Sequence, residues 1–280
     1  MKAEQGWQNI AGERWAALQD LTDAQLGPFG RAALVRVEPR AGERALDVGC
    51  GAGQSTLELS ALVGASGSVV GLDVSAPLLD RARARAASAP HANVEFVLGD
   101  AATTRLEPPF DLLFSRFGVM FFEDPVGAFT HLRTELRPGG RLGFVCWQPL
   151  AVNAWAREPL DAVRALRPGH PPPSMLEPGK PGPYFFSDPS FVAGVLGNAG
   201  FENVVIEPYV ADALIGGART LDAAVDFTLQ IGPAARFVAE ADLAGDERVR
   251  PALRAALAPF ASERGVLAPH CTLLVTARRA

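Results

Sequence analysis

Brief apolar runs alternate with longer periodic segments along the first half of the chain. RALDVG (44–49), SVVGLD (68–73), VEFVLGD (94–100), FDLLFS (110–115) and RLGFVCW (141–147) are short, rich in Val, Leu and Phe, and bounded by Gly or Asp. That combination predicts buried strands. The segments 54–63, 77–87 and 125–136 between them carry helical spacing. Strands alternating with helices imply parallel crossovers and an open doubly wound sheet.

Two parts of the chain depart from this rhythm. Before the first strand, Trp7, Ile10, Ala11, Trp15, Leu18 and Leu21 recur at three and four residues, one face of an amphipathic helix. Most of that stripe reads as core packing. Two tryptophans outside the sheet also suggest a cover. After the fifth strand, RPGHPPPSMLEPGKPGPYFF (167–186) is too dense in Pro and Gly for a regular element. Long irregular loops in compact domains are lids or linkers. The sheet pattern then resumes, with a helix over 190–199, the strand VVIEPYV (204–210), a helical stretch over 220–264 and a last strand CTLLVTA (271–277), so a lid is expected.

The expected fold is therefore α/β, a doubly wound, seven-stranded, mostly parallel Rossmann-like sheet with an N-terminal helical cover and an inserted helical and loop lid. The expected partition is 1–40 cover, 41–149 core, 150–187 lid insertion, 188–210 core continuation, 211–267 helical lid insertion and 268–280 last strand. Both excursions should lie over the C-terminal edge of the sheet, where open α/β folds bind ligands. No internal repeat is visible.

Bulk properties narrow the picture. A chain of 280 residues with 48% apolar content suits one large domain or a core with a smaller attached part. The formal net charge of −5 argues against a nucleic-acid partner. Arg81, Arg83 and Arg85 splay around a helix and read as a solvated face. Cys50, Cys146 and Cys271 lack metal-ligand spacing and read as reduced, buried thiols. With no signal-like N-terminus and no long apolar run, a cytoplasmic protein without a membrane span is expected.

The chemistry is concentrated in ALDVGCGAGQS (45–55). A phosphate-cradling P-loop would end in GK[ST], and no lysine follows Gly53. A dinucleotide fingerprint would read G-x-G-x-x-G, but the third glycine comes one residue early and Gln54 stands in its place. The pattern D-x-G-x-G-x-G, from Asp47 through Gly49, Gly51 and Gly53, resembles motif I of the class I S-adenosylmethionine-dependent methyltransferases. S-adenosylmethionine (SAM) has no pyrophosphate to seat on the helix end. Asp73 closes the second strand, where a carboxylate can accept from both ribose hydroxyls, a device that NAD enzymes share. Gly99–Asp100–Ala101 closes the third strand and resembles the family's next motif, whose acid hydrogen-bonds the adenine amino group. The RPGG turn, with SRFGVMFF and RPGGRLGFVCWQ, resembles the bacterial branch related to the quinone-biosynthesis C-methyltransferases.

The resemblance implies cofactor contacts from Trp15, Asp47, Gly49, Gly51, Gly53, Gln54, Asp73, Val74, Leu78, Asp100, Ala101, Ser115 and Arg116. Leu78 or Leu79 stands where a methionine often contacts adenine. Arg116, or Arg14, could pair with the SAM carboxylate or an acidic substrate; an ordinary surface ion pair is the alternative. It also implies an SN2 displacement yielding S-adenosylhomocysteine (SAH). Such a step needs alignment and dryness more than a base. Trp7, Phe117, Met120, His170, Tyr184 and Phe185 are the candidates for a pocket receiving a small, largely apolar acceptor at O, N or C. Phe121 and Phe122 read equally well as core. Neither a catalytic base nor a metal site is assigned. His91 and His131 are expected to lie away from the ligand, and His270 only begins the last strand. Two other readings stay open: a SAM-binding protein catalysing a different reaction, and an NAD(P)-dependent oxidoreductase. Monomer and homodimer are both open.

Overall fold

The computed structural model describes residues 10–89, 93–107 and 109–280. Trp7, His91 and the Arg14 side chain lie outside what is described. The five N-terminal strands are β1 (Arg44–Val48), β2 (Ser68–Asp73), β3 (Val94–Leu98), β4 (Phe110–Arg116) and β5 (Leu136–Trp147). They pair in parallel in the order β3-β2-β1-β4-β5. Helices α3 (Gln54–Val63), α4 (Ala76–Ala87) and α5 (Pro125–Glu135) make the crossovers. The order reverses between β1 and β4, so the loops leaving these strands part and open a crevice.

A second set of strands closes the sheet. After α7 (Pro189–Asn198), β6 (Phe201–Leu214) pairs antiparallel with β8 (Gly265–Arg279), which is itself antiparallel to β5. A two-residue strand β7 (Ala261–Ser262) turns into β8. Both long strands exceed the expected 204–210 and 271–277, because their register continues to Leu214↔Leu267. Beyond the reach of β5 the two strands continue as a pair, and this extension still buries Ala213, Val266, Ala268 and His270. Leu46, Leu59, Leu72, Leu112, Phe114 and Phe129 are buried completely in the main core.

The helical parts differ from expectation in three ways. From Ile10 onward the N-terminal stripe falls on two helices, α1 (Ile10–Ala17) and α2 (Gln19–Val37), with Leu18 between them. Leu21, assigned to the buried stripe, is 39% exposed, while Gln19, Thr22, Asp23 and Gln25 are buried in its place. The stretch expected to be helical over 220–264 is three helices, α8 (Leu221–Thr228), α9 (Pro233–Glu240) and α10 (Val249–Leu257), broken first at Gly232–Pro233. These pack with α6 (Ala154–Arg164) around an apolar cluster of their own, including Leu160, Val163, Phe237, Leu253 and Leu257. The two excursions thus join into one cap. The Pro-rich loop is fastened to it by Ser174, whose N–H and hydroxyl both donate to the Glu240 carboxylate at 2.9 and 2.5 Å. No helix among the described residues is long and apolar enough to cross a membrane.

Candidate active site

A cavity of about 670 Å³ lies over the C-terminal edge of the sheet, beneath α1, α2 and the cap. Its size is typical of small-molecule sites. Strand order sets its layout. Gly49, Gly51, Asp73, Val74, Leu78, Asp100 and Ala101 line it from the β1–β3 side. Arg116 ends β4 and Phe117 and Met120 follow it, and Trp147 ends β5. Trp15, Gln19, Thr22 and Gln25 come down from the cover, and Trp155, Tyr184, Phe227 and Ile231 from the cap side.

The β1–β3 side has unspent hydrogen-bonding capacity that fits a nucleoside. Gly51 sits at φ +55°, and a Cβ added there would meet nothing within 4 Å. It would project into open space where the backbone borders the cavity, so a side chain would occupy a ligand's place. The Gly51 N–H donates to Asp73 Oδ2 at 2.8 Å, and the Ser75 N–H to Asp73 Oδ1 at 2.9 Å. A carboxylate has about four acceptor positions, so about two remain on Asp73 for hydroxyls. Burial raises the Asp73 pKa, and the backbone N–H groups pull it back. Asp100 Oδ1 accepts from the Ala102 N–H at 2.8 Å, which leaves Oδ2 for a donor in the cavity. Ser75 occupies the N-cap of α4, yet its hydroxyl makes no capping bond and is buried without a partner among the described residues. Two acids, glycine backbone and the apolar Val74 and Leu78 thus suit the ribose and base of SAM.

Four residues assigned to the cofactor lie elsewhere. Asp47 is buried beneath the glycine turn, where Ser55 and Thr56 at the start of α3 each donate a hydroxyl to Oδ2 at 2.7 Å. It holds the turn and does not reach the cavity. Gly53 is the N-cap of α3, and its Cα faces Ala82 and Phe96, which a Cβ would meet at 3.0–3.2 Å. Gln54 turns outward into a charged groove and accepts from Arg116. Ser115 donates to the Val48 carbonyl at 2.7 Å and accepts from the Gly118 N–H at 3.2 Å, so it clamps β4 to β1 where the strand order reverses.

Asp47 yields a pH prediction. Its Oδ1 has no partner among the described residues, and burial raises its pKa from 3.8 to about 6 against the two hydroxyl bonds. The folded protein holds this proton more tightly than the unfolded chain. The contribution to stability is full below pH 3.8 and is lost as the pH climbs through about 6. Asp47→Asn keeps the shape and removes the titration. Urea midpoints of the two proteins should therefore diverge in favour of the variant as the pH rises from about 4 to about 7; parallel curves would refute the assignment.

Arg116 lines the cavity but is already paired. It donates to Asp23 Oδ1 at 2.8 Å, with side chains 10% and 9% exposed. Asp23 also accepts from Gln19 at 2.6 Å and from Arg85 at 2.7 Å. The expected alternative of a surface pair is thus corrected: this pair is buried and joins the cover helix α2 to β4 and α4. Arg85 belongs to the same network and is not a free solvated charge, since it bonds Asp20 as well.

The β5 side is a wall of rings. Phe117 has φ +58°, rare for a bulky residue and costly at about 1–3 kcal/mol, a kind of strain that collects at functional sites. That backbone presents its ring to Trp147, stacked with centroids 4.4 Å apart and planes at 22°. Trp155 follows at 5.3 Å from Trp147. Met120 is buried against the cavity, and Phe121 and Phe122 line it too. The Tyr184 hydroxyl has no hydrogen-bond partner among the described residues, and burial pushes its pKa above the ordinary phenol range. His170 does not reach the cavity: it bonds the Pro171 carbonyl at 3.0 Å and meets the edge of Phe237. Phe185 packs instead on Phe186 and Phe191. His131 bonds the Thr104 carbonyl at 2.9 Å and lies off the cavity.

Sequence reasoning missed the buried polar row Gln19, Thr22 and Gln25, and the rings Trp147, Trp155 and Phe227. Trp147 alone carried a signal, since it ends a parallel strand at the edge where ligands bind.

Comparison with known proteins agrees with this geometry. A model described as a methyltransferase domain matches residues 45–140. Nocamycin O-methyltransferase of Saccharothrix syringae is 31% identical over 222 residues, 73% of this chain and 78% of that enzyme. Demethylmenaquinone methyltransferase of Shouchella clausii is 35% identical over 108 residues, 38% of this chain and 46% of that enzyme, so this match spans under half its length. Among solved structures, Haemonchus contortus phosphoethanolamine N-methyltransferase 2 in complex with S-adenosyl-L-methionine shares the fold at TM-score 0.59 and 16% identity, over 99% of this chain and 60% of that one. Fold and cavity define a Rossmann-like protein with a small-molecule cavity at the C-terminal edge of its sheet. The chain belongs to the class I SAM-dependent methyltransferases, and its cofactor is SAM.

Proposed function

We propose that this methyltransferase acts on a small, largely apolar acceptor, methylated at O, N or C. The observation that carries this reading is the ring wall of Phe117, Trp147 and Trp155 lining the cavity. Such a wall suits a compact apolar molecule, and the net charge of −5 gives no support to a nucleic-acid substrate.

Asp73 is assigned to the ribose hydroxyls and Asp100 to the adenine amino group, on the acceptor positions each has left. Leu78 and Val74 give the base apolar contact, and Trp15 covers it from α1. SAM supplies an electrophilic methyl on a sulfonium. The protein aligns the acceptor with that methyl and keeps water away, and flat rings near a sulfonium also stabilise its charge. Cys50, Cys146 and Cys271 are unpaired, which suits a reducing compartment, and the cytoplasm is the proposed setting.

The test is transfer of labelled methyl from SAM across a panel of phenols, naphthols and quinols. SAH should form together with methylated product. Tight SAM binding without transfer to any small acceptor, but with transfer to protein or nucleic acid, would overturn the reading.

A further inference from the structure

We propose that Gln25 holds an oxygen of a flat, conjugated acceptor through its side-chain N–H, and that His270 is the positioning residue that fixes this amide. The proposal rests on the methyltransferase reading above and names the acceptor class and the residue that selects it.

Gln25 lines the cavity from α2 and is only 2% exposed. The Gly216 N–H, 2.9 Å away, can only donate, so the amide atom facing it is the oxygen. The amide nitrogen therefore faces His270 Nε2 at 2.7 Å. His270 Nδ1 is 2.8 Å from the Ala268 carbonyl, which can only accept, so Nδ1 carries the ring proton and Nε2 accepts from Gln25. Burial lowers the His270 pKa to about 4, and the ring stays neutral near pH 7. Both ends of the amide are thus fixed, and one N–H of Gln25 is left without a partner among the described residues.

The partners of this amide are themselves closely packed. His270 is fully buried, stacked on Trp155 with centroids 4.8 Å apart and planes at 13°. Gly216 lies at φ +57°, and any Cβ there would collide with the Phe227 ring. Trp155 and Phe227 both line the cavity, so the spare N–H belongs to a chamber of flat rings. The Trp155 N–H is already spent on Asn153 Oδ1 at 3.2 Å. A buried donor left unpaired by its ligand costs affinity, so a bare ring is disfavoured against one bearing a carbonyl or ionised oxygen.

The experiment is equilibrium dialysis of SAH-saturated protein with two probes, lawsone (a naphthoquinone with an acidic ring hydroxyl) and naphthalene. Gln25→Glu keeps an acceptor for Gly216 and removes the donor; Gln25→Leu removes both. Each variant should weaken lawsone by about tenfold or more, while naphthalene and SAH change less than about twofold. His270→Phe keeps the stacking and frees the amide, and should weaken lawsone by a smaller factor with SAH unchanged. Equal losses for both probes, no loss of lawsone, or no binding of either ring by SAH-saturated protein would overturn the proposal. Failure to bind SAH at all would instead strike the methyltransferase reading itself.

Discussion

Asp73→Ala is expected to weaken SAM binding by about 2–4 kcal/mol, roughly thirty- to a thousandfold. The carboxylate already accepts the Gly51 and Ser75 N–H groups, and the remaining positions are the strongest acceptors offered to a ribose. The same substitution strips two backbone donors of their partner, so the variant should also lose some stability. Asp73→Asn separates the two effects. It keeps one oxygen for the loop but offers fewer and weaker acceptors, and its affinity should fall between wild type and alanine. Calorimetry on folded protein reads this directly. An unchanged affinity for SAM in a folded alanine variant would remove Asp73 from the site.

Asp23→Ala should cost about 3–5 kcal/mol of folding stability, because it strands the Arg116 guanidinium in a buried place. Burial decides the size. Arg36 and Glu207 form a comparably short pair at 2.6 Å, but with side chains 45% and 44% exposed, and solvent screens a pair of that kind so that it contributes little. Asp23 also gathers Gln19 and Arg85, so its loss releases the cover helix from both β4 and α4. Removing the stranded charge as well, in Asp23→Ala/Arg116→Leu, should recover most of the loss. Urea unfolding of the single and double variants forms the cycle. A loss below about 1 kcal/mol, or no recovery in the double variant, would show that the pair is solvated.

The sheet and the glycine turn were legible because physics leaves them little freedom. A parallel strand such as β1 is buried on both faces and must be apolar, and a backbone bordering a ligand at Gly51 must lack a side chain. Asp73 and Asp100 were legible as acids closing strands. Helix α2 was not. In its first half the buried residues Gln19, Thr22, Asp23 and Gln25 serve the cavity and the ion-pair network, so the apolar periodicity that marks a buried helix face begins only at Phe29, which enters the core with Ala33, Leu34 and Val37. The resemblance places Arg116 and Gln54 at the cofactor; Arg116 does line the cavity, but its bonds to Gln54 and Asp23 join residues far apart in the sequence, which no local pattern shows. The left-handed Phe117 is likewise invisible in the sequence, since nothing in SRFG requires that backbone. His270 looked like an ordinary residue at a strand start because its partner Gln25 lies 245 residues earlier.

The most direct measurement is calorimetric titration of the purified protein with SAM, SAH and NADH in parallel. SAM and SAH should bind at one site with dissociation constants on the order of micromolar, and NADH should give no heat of binding. Binding of NADH with none of SAM or SAH would contradict the assignment of the glycine turn, Asp73 and Asp100 to SAM.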